Sequence, residues 1–217
     1  MSKTKLHGQN YVLSNGKRAA SVTTIINTQL GWNKNTLIAW AKRVTAQGED
    51  ADAVMREAGD IGTLTHILIQ GYLQGFDVDT KDFTPNQTTK AMKAFMGFRQ
   101  WYDKGNFKAM LSELALVNEE FKVGGTVDCV GKHKDNLVLV DWKTAKGIYP
   151  EMMIQLGAYT MMYEAAQPKA NVKYGIIMRF GKEDGKFHRH IIDRDKLDAG
   201  AQVFKHLCAL YRLRTKL

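Results

Sequence analysis

Residues 124–159 decide the fold, and they read GGTVDCVGKHKDNLVLVDWKTAKGIYPEMMIQLGAY. Asp128 and Asp141 lie at equal distances from a polar turn at Lys134–Asp135. A hairpin that reverses there places the two carboxylates opposite each other on antiparallel strands, about 5 Å apart. Lys143 follows Asp141 by two positions and projects from the same face, because strand side chains alternate. The stretch therefore predicts two carboxylates and an ammonium group on one small patch.

The predicted patch of two carboxylates and one ammonium group suits metal-assisted hydrolysis of phosphodiesters. Two carboxylates this close repel each other unless a proton or a cation lies between them, and Mg²⁺ and Mn²⁺ prefer such oxygen ligands. The ammonium group could hold an attacking water or offset charge on a phosphorane. The alternative is an ordinary surface hairpin that bears a few charges. The strand LVLVDWK favours the first interpretation, because it is apolar on both faces and buried charges need partners.

Seven residues in a fixed order along the chain carry a resemblance to a known family. They are His66 in GTLTHILIQ, Glu113 in LSELALV, Asp128 in GTVD, Asp141 and Lys143 in DWK, and Gln155 and Tyr159 in QLGAY. The ordered set, over roughly residues 60–160, resembles the PD-(D/E)XK nuclease superfamily and, within it, the RecB-like exonuclease branch. The segments SVTTII and IAWAK also resemble the mitochondrial genome maintenance exonuclease and related phage enzymes. One departure is that Val127, not proline, precedes Asp128.

The resemblance implies an α/β fold with a restriction-endonuclease-like core, in which a mixed central β-sheet is flanked by α-helices. The sequence has no linker and no internal repeat, so we expect residues 1–217 to form a single nuclease domain. Residues 1–105 would be its mainly helical N-terminal part. Residues 106–217 would supply the catalytic sheet and its flanking helices.

The resemblance also implies a role for each residue of the ordered set. The ligands of a divalent metal would be Asp128, Asp141, the backbone carbonyl of Trp142 and, completing or adjoining the shell, His66. Lys143 would orient the attacking water and stabilise negative charge in the transition state. Glu113 would bind a second ion or a water, and Glu119–Glu120, nearer a turn, compete with it for this role. Gln155 and Tyr159 would position the scissile strand or the lysine.

Charge and cysteine content narrow the partners and cofactors. The formal net charge is +9, which favours a polyanionic partner such as DNA. Arg212, Arg214 and Lys216 could contact phosphates, although an ordinary positive helix C-terminus explains them equally well. The chain has two cysteines, Cys129 and Cys208. They cannot supply the four ligands of the iron–sulfur cluster that some RecB-like nucleases carry, so we expect no such cluster.

The sequence also argues against several classes of protein. The chain has no run of 18 apolar residues, and we therefore expect no membrane span. The segment MSKTKLHGQN lacks the apolar core of a secretory signal, which favours a cytoplasmic protein, in the host cytoplasm if a phage encodes it. No P-loop is present, so we expect no use of ATP.

We therefore expect a metal-dependent deoxyribonuclease that uses Mg²⁺ or Mn²⁺. The family branch points to an exonuclease that acts on single strands or processed DNA ends in replication, repair or recombination, where another protein of those processes could be a partner. Two alternatives stay open. One is an endonuclease of the same fold, and the other is a DNA-binding replication accessory protein that does not cleave.

Local patterns give further expectations. The sequence TPNQ at residues 84–87 predicts a helix start with a capping box. Two helical runs are expected to break near Gly59–Gly62. Trp32 and Trp40 are expected to pack in the core or between helices. Gly124–Gly125 would permit a bend, or a close approach by DNA or a neighbouring strand.

Overall fold

The computed structural model describes residues 10–214 and 216–217, and the N-terminal segment that argues against a secretory signal lies almost entirely outside them. In chain order the elements are β1 (Ala20–Ser21), α1 (Val22–Gln29), α2 (Lys34–Ala46), α3 (Ala51–Gln74), α4 (Pro85–Tyr102), β2 (Phe107–Asn118), β3 (Val123–His133), β4 (Asn136–Lys143), α5 (Pro150–Ala166), β5 (Tyr174–Phe180), β6 (Phe187–Asp193) and α6 (Arg194–Arg214). Within these ranges, no helix combines the length and the apolar character needed to cross a membrane.

The six strands of the described chain form one mixed sheet flanked by helices, so the predicted α/β fold is confirmed. β3 is antiparallel to both β2 and β4, while β5 runs parallel to β4 and antiparallel to β6. The short strand β1 pairs in parallel with Val123 and Gly124 at the start of β3. Because β2 occupies the other edge of β3 there, β1 lies on the β4 side, beyond the end of β4.

Both faces of the sheet are buried, which explains the uninterrupted apolar run of β4. Leu139 packs into one core with α1, α5 and α6, whereas its neighbour Val140 packs into a second core with α3 and α4. The second core includes Phe98 and Trp142, whose ring centroids lie 5.6 Å apart. Together the two cores fix the central strands and leave the end of β4 to carry polar groups.

Helix α3 is continuous, and the predicted break near Gly59–Gly62 is wrong. A side chain added at Gly59 would meet open space, and one added at Gly62 would only contact the Thr144 hydroxyl, at 3.4 Å. Glycine costs a helix interior about 0.5–1 kcal/mol relative to alanine, which the packing of the helix against the sheet offsets. The continuity matters because α3 then holds the residues that follow these glycines in fixed positions.

Two other local expectations have different outcomes. The capping box at the start of α4 is confirmed, because the Thr84 hydroxyl accepts from the N–H of Gln87 and the Gln87 side chain accepts from the N–H of Thr84. The packing role predicted for Trp32 is wrong, since its side chain is 60% exposed. Trp32 lies in the connection between α1 and α2, and α2 itself buries only Val44. Trp40 is half-buried.

Two glycine substitutions test this packing. Alanine at Gly157 of α5 would press its Cβ against the Leu197 carbonyl oxygen and to 2.7 Å from the Ala201 backbone nitrogen of α6. We expect Gly157→Ala to lower the free energy of unfolding by about 1–3 kcal/mol, because rigid backbone must move. Gly59→Ala should instead raise it by about 0.5–1 kcal/mol, because the site is open and helical. Urea unfolding measures both, and a destabilised Gly59→Ala variant would contradict the continuous helix.

Candidate active site

A tight hairpin brings Asp128 and Asp141 together at one end of the sheet. Lys134–Asp135 forms its turn with φ values of 49° and 63°, the left-handed conformation that two-residue hairpin turns use. The register of the β3–β4 ladder, continued by one step, sets Asp128 opposite Asp141. The Trp142 N–H donates a 2.7 Å hydrogen bond to Asp128 Oδ2, which ties the two strands together at this point.

Helix α3 presents His66 to these strands. Its Nε2 lies 3.0 Å from the Trp142 carbonyl oxygen, and since a carbonyl can only accept, Nε2 carries a hydrogen. In the neutral ring Nδ1 is then an acceptor, and it faces Asp128 Oδ1 at 3.5 Å and Glu113 Oε1 at 4.0 Å. One ligand atom from each of the three residues lies within 4.8 Å of the other two. Acceptor atoms that converge in this way favour a cation between them.

Glu113 faces Asp128 from the neighbouring strand β2. The β2–β3 register sets the two residues opposite each other, between the Ser112–Cys129 and Leu114–Val127 pairs. The φ of Glu113 is 53°, a left-handed conformation that is uncommon for this residue type and that is stored most often at functional sites. Burial, reinforced by the Asp128 charge, raises the pKa of Glu113 to about 9.

Asp141 and Lys143 form a tight ion pair beside this cluster. Lys143 Nζ donates to Asp141 Oδ1 at 2.7 Å and lies 2.6 Å from Oδ2, although not in an orientation that makes a second hydrogen bond. Burial raises the pKa of Asp141 to about 6, against the opposing attraction of Lys143. Burial lowers the pKa of Lys143, but the carboxylates of Asp141 and Asp128 outweigh it, and the net shift is upward. Lys143 therefore stays charged at neutral pH.

Helix α5 braces the lysine through two side chains one turn apart. Lys143 Nζ donates to Gln155 Oε1 at 3.3 Å, and Gln155 Nε2 in turn donates to the Tyr159 hydroxyl at 3.3 Å. Burial raises the pKa of Tyr159, so this hydroxyl stays neutral. The contacts of Gln155 and Tyr159 thus lead to the lysine, which is one of the two roles that the sequence left open for them.

Gly124 and Gly125 make room for two tyrosines beside the site. A Cβ at Gly125 would lie 2.5 Å from Tyr159 Cε1, and one at Gly124 would collide with the ring of Tyr11. The Tyr11 hydroxyl also lies 2.9 Å from Thr126 Oγ1. These glycines therefore permit close approach, as predicted, but the approaching groups are side chains of this chain.

The site opens into a cleft of about 1090 Å³. Most of the predicted site residues line it, namely His66, Glu113, Asp128, Trp142, Lys143, Gln155 and Tyr159. Asp141 is only 1% exposed and is not part of the lining, but its partner Lys143 is. Of the three C-terminal cations, Arg212 lines the cleft, Arg214 donates to the Thr28 carbonyl oxygen at 3.4 Å, and Lys216 is outside the lining.

The sequence model of the PD-(D/E)XK nuclease superfamily matches residues 38–215. This chain belongs to that superfamily. The match leaves out residues 10–37, although Tyr11, Arg18 and the start of α1 form part of the cleft wall.

Two solved structures resemble this chain at low identity. A candidate exonuclease from Eubacterium rectale is 14% identical to this chain, with a TM-score of 0.48. The alignment covers 71% of this chain and 65% of the length of that protein. The protein named SSO0001 is 12% identical with a TM-score of 0.33, with coverage of 70% of this chain and 72% of that one. No curated protein sequence matches the chain significantly.

PD-(D/E)XK nucleases use divalent metal ions, and the residues of this site fit such an ion. His66, Glu113 and Asp128 offer an imidazole nitrogen and carboxylate oxygens, which are suitable ligands. Asp141 Oδ2 is buried and accepts no hydrogen bond from any described residue. The Trp142 carbonyl is engaged by the other ring nitrogen of His66, the arrangement that commonly orients a ligating histidine.

Sequence reasoning missed three cations of this cleft, Arg18, Lys122 and Lys182. They come from three separate connections, namely the N-terminal hairpin, the β2–β3 turn and the β5–β6 turn. Nothing in the local sequence of these turns marks their cations as part of a site. Only the topology brings these turns to the end of the sheet where Asp128 lies.

The burial of Glu113 predicts that the free energy of unfolding of the metal-free protein falls as the pH rises. Its pKa rises from an ordinary 4.5 to about 9 on folding, so its stabilising contribution is complete below about pH 4.5 and is lost as the pH rises toward 9. In EDTA, Glu113→Gln should therefore unfold at higher urea than the wild type at pH 8. The advantage should shrink at pH 4, where the wild-type side chain is protonated in both states. Glu120→Gln, at an exposed position, is the matched control, and a pH-independent difference for Glu113→Gln would contradict the account.

Proposed function

We propose that this chain is a divalent-metal-dependent DNA exonuclease of the RecB-like branch. The observation that carries the proposal is the cluster of His66, Glu113 and Asp128 beside an ion-paired lysine in a basic cleft. Membership of a nuclease superfamily and the net charge of +9 support DNA as the substrate. The whole chain, residues 1–217, would act as a single nuclease domain with Mg²⁺ or Mn²⁺, and without ATP or an iron–sulfur cluster.

The metal ion would be held by His66, Glu113 and Asp128, with Asp141 and the Trp142 carbonyl adjoining. When bound, the ion supplies Lewis-acid charge to the phosphodiester and makes an attacking water more acidic. Glu113 would bind it as the carboxylate, which requires loss of the proton that burial favours. Asp128 is already oriented by the Trp142 N–H, so little rearrangement is needed at that residue.

Lys143 would act on the attacking water and on the charge that develops at phosphorus. Its ammonium group is held at the cleft by Asp141, which neutralises the charge in the resting protein. Gln155 limits where the ammonium group can move, and Tyr159 limits Gln155 in turn. A donor fixed in this way stabilises transition-state charge without reorganisation at the moment of reaction.

Exonuclease action on single strands or processed ends is supported by the resemblance to the RecB-like branch. An endonuclease of the same fold would use the same residues and would differ in accepting DNA without ends. A DNA-binding accessory protein would keep the cleft but would not cleave. The substrates below separate these functions.

Cleavage of end-labelled single-stranded, duplex and closed circular DNA tests the proposal. We expect Mg²⁺ or Mn²⁺ to support loss of the linear substrates alone, and EDTA to abolish it. Lys143→Ala and Asp141→Ala should each lower the rate at least a hundredfold while the far-ultraviolet circular dichroism is retained, because each removes the charged donor or its support. Lys169→Ala removes an exposed lysine at the opposite end of the sheet and is the control.

Each outcome of this assay has a defined reading. Cleavage of closed circular DNA would show that the chain is an endonuclease and not an exonuclease. Salt-sensitive DNA binding without cleavage under any metal condition would favour the accessory protein. Full activity of either Lys143→Ala or Asp141→Ala would overturn the assignment of the active site.

A further inference from the structure

Lys182 is a lysine of the cleft that the proposed chemistry leaves unused. It lies two residues after the end of β5, is half-buried, and lines the cleft together with Lys143. No carboxylate of the described residues forms an ion pair with it, and the nearby Glu183 instead pairs with Lys90 at 3.1 Å. A partly buried ammonium group in this setting has lost part of its hydration without gaining a partner.

The surroundings of Lys182 favour an anion from outside the chain. Burial is the main cause that lowers its pKa, and the neighbouring Lys90 lowers it further; Glu183 opposes them, and Lys146 and Glu57 have smaller effects in opposite directions. An anionic ligand would compensate for the hydration that the Lys182 ammonium group loses on burial. It would also reduce the repulsion between Lys182 and the neighbouring cations. The phosphate of a nucleic acid is the anion that this cleft is otherwise arranged to meet.

The β5–β6 turn holds Lys182 in a defined position. The Gly185 N–H donates to the Gly181 carbonyl oxygen at 2.9 Å, and the Gly181 N–H donates to the Lys186 carbonyl oxygen at 2.7 Å. The turn also rests on α4, where a Cβ at Gly97 would lie 2.5 Å from the Gly185 carbonyl oxygen. The backbone that carries Lys182 is therefore anchored on both sides, so a ligand would meet a prearranged group.

The sheet topology places this lysine at the same end of the sheet as the cluster of His66, Glu113 and Asp128, and all four residues line the same cleft. β5 is the parallel neighbour of β4, and Arg179 pairs with Lys143. Lys182 lies three residues beyond that pair, in the turn that follows β5, so it lies at the same end of the sheet as Lys143. Arg18 and Lys122 reach the cleft from a different wall, formed by the N-terminal hairpin and the β2–β3 turn.

We propose that Lys182 binds a backbone phosphate of the DNA strand beside the one being cleaved, and so holds the strand against the β5 wall of the cleft. This inference rests on the proposed nuclease function. It assigns Lys182 to binding of the strand, whereas Lys143 acts at the reacting phosphate. A contact of this kind reads no base, so it should act on all sequences alike.

Salt-dependent binding of a labelled single-stranded oligonucleotide in EDTA tests the inference without requiring cleavage. We expect Lys182→Ala to weaken binding roughly tenfold, the weight of one charge-assisted hydrogen bond. The slope of log K against log salt should become shallower by about 0.7, because one fewer counterion is released. Lys182→Arg should retain most of the affinity and the slope, and Lys169→Ala should match the wild type.

Cleavage kinetics supply the second readout. With metal present, Lys182→Ala should lower kcat/KM mainly through a higher KM, in contrast to Lys143→Ala, which should lower kcat. If the wild type cleaves while Lys182→Ala matches Lys169→Ala in affinity, slope and KM, the Lys182 assignment is wrong and the nuclease function stands. If neither the wild type nor any variant cleaves, but Lys182→Ala still binds more weakly and with a shallower salt dependence, the phosphate contact is supported and the nuclease function is wrong.

Discussion

Repulsion among buried carboxylates is the constraint on which the rest of this structure depends. Glu113 and Asp128 face each other on two neighbouring strands, with Asp141 on the third, at one end of a sheet that packs into apolar cores on both faces. Such a group is stable only with protons or cations among the oxygens. In this chain Lys143 supplies the cation beside Asp141, the Trp142 N–H donates to Asp128, and Glu113 retains a proton. Stability is thus lower at the site than packing alone would give, as is common where function needs charge.

The scaffold holds this unfavourable group through close backbone contacts. Gly157 lets α6 approach α5 within backbone contact, which fixes the helix that carries Gln155 and Tyr159. Gly125 then admits the Tyr159 ring against β3. A line of contacts therefore runs from the packed helices through Tyr159 and Gln155 to the ammonium group of Lys143. On the opposite side, the unbroken helix α3 fixes His66 with respect to β4 through the Trp142 carbonyl.

The sequence could predict the centre of the site because local rules determine it. The turn at Lys134–Asp135 and the two-residue period of strands suffice to set Asp128 against Asp141 and to aim Lys143 from the same face. The left-handed conformation of Glu113 could not be predicted, since nothing local requires it and the tertiary structure imposes it. The resemblance to the family's ordered residue set nevertheless selected Glu113, the residue that faces Asp128.

The periphery of the site was beyond sequence reasoning for a different reason. Arg18 and Lys182 lie far apart along the chain, in turns with no pattern of their own, and only the sheet order brings both to one cleft. The prediction of a helix break near Gly59–Gly62 was wrong because tertiary packing outweighs the weak helix propensity of glycine. The prediction that Trp32 is packed was wrong because aromatic character alone does not distinguish a buried residue from an exposed one.

Binding of Mn²⁺, followed by calorimetry and by electron paramagnetic resonance, tests the central claim most directly. The account predicts that the wild-type chain binds the ion at the cluster of His66, Glu113 and Asp128. Asp128→Asn and His66→Ala should each weaken that binding by at least tenfold, and Asp79→Asn, at an exposed loop position, should not. Equal Mn²⁺ affinity in the wild type, Asp128→Asn and His66→Ala would contradict the account, as would the absence of any binding in the wild type.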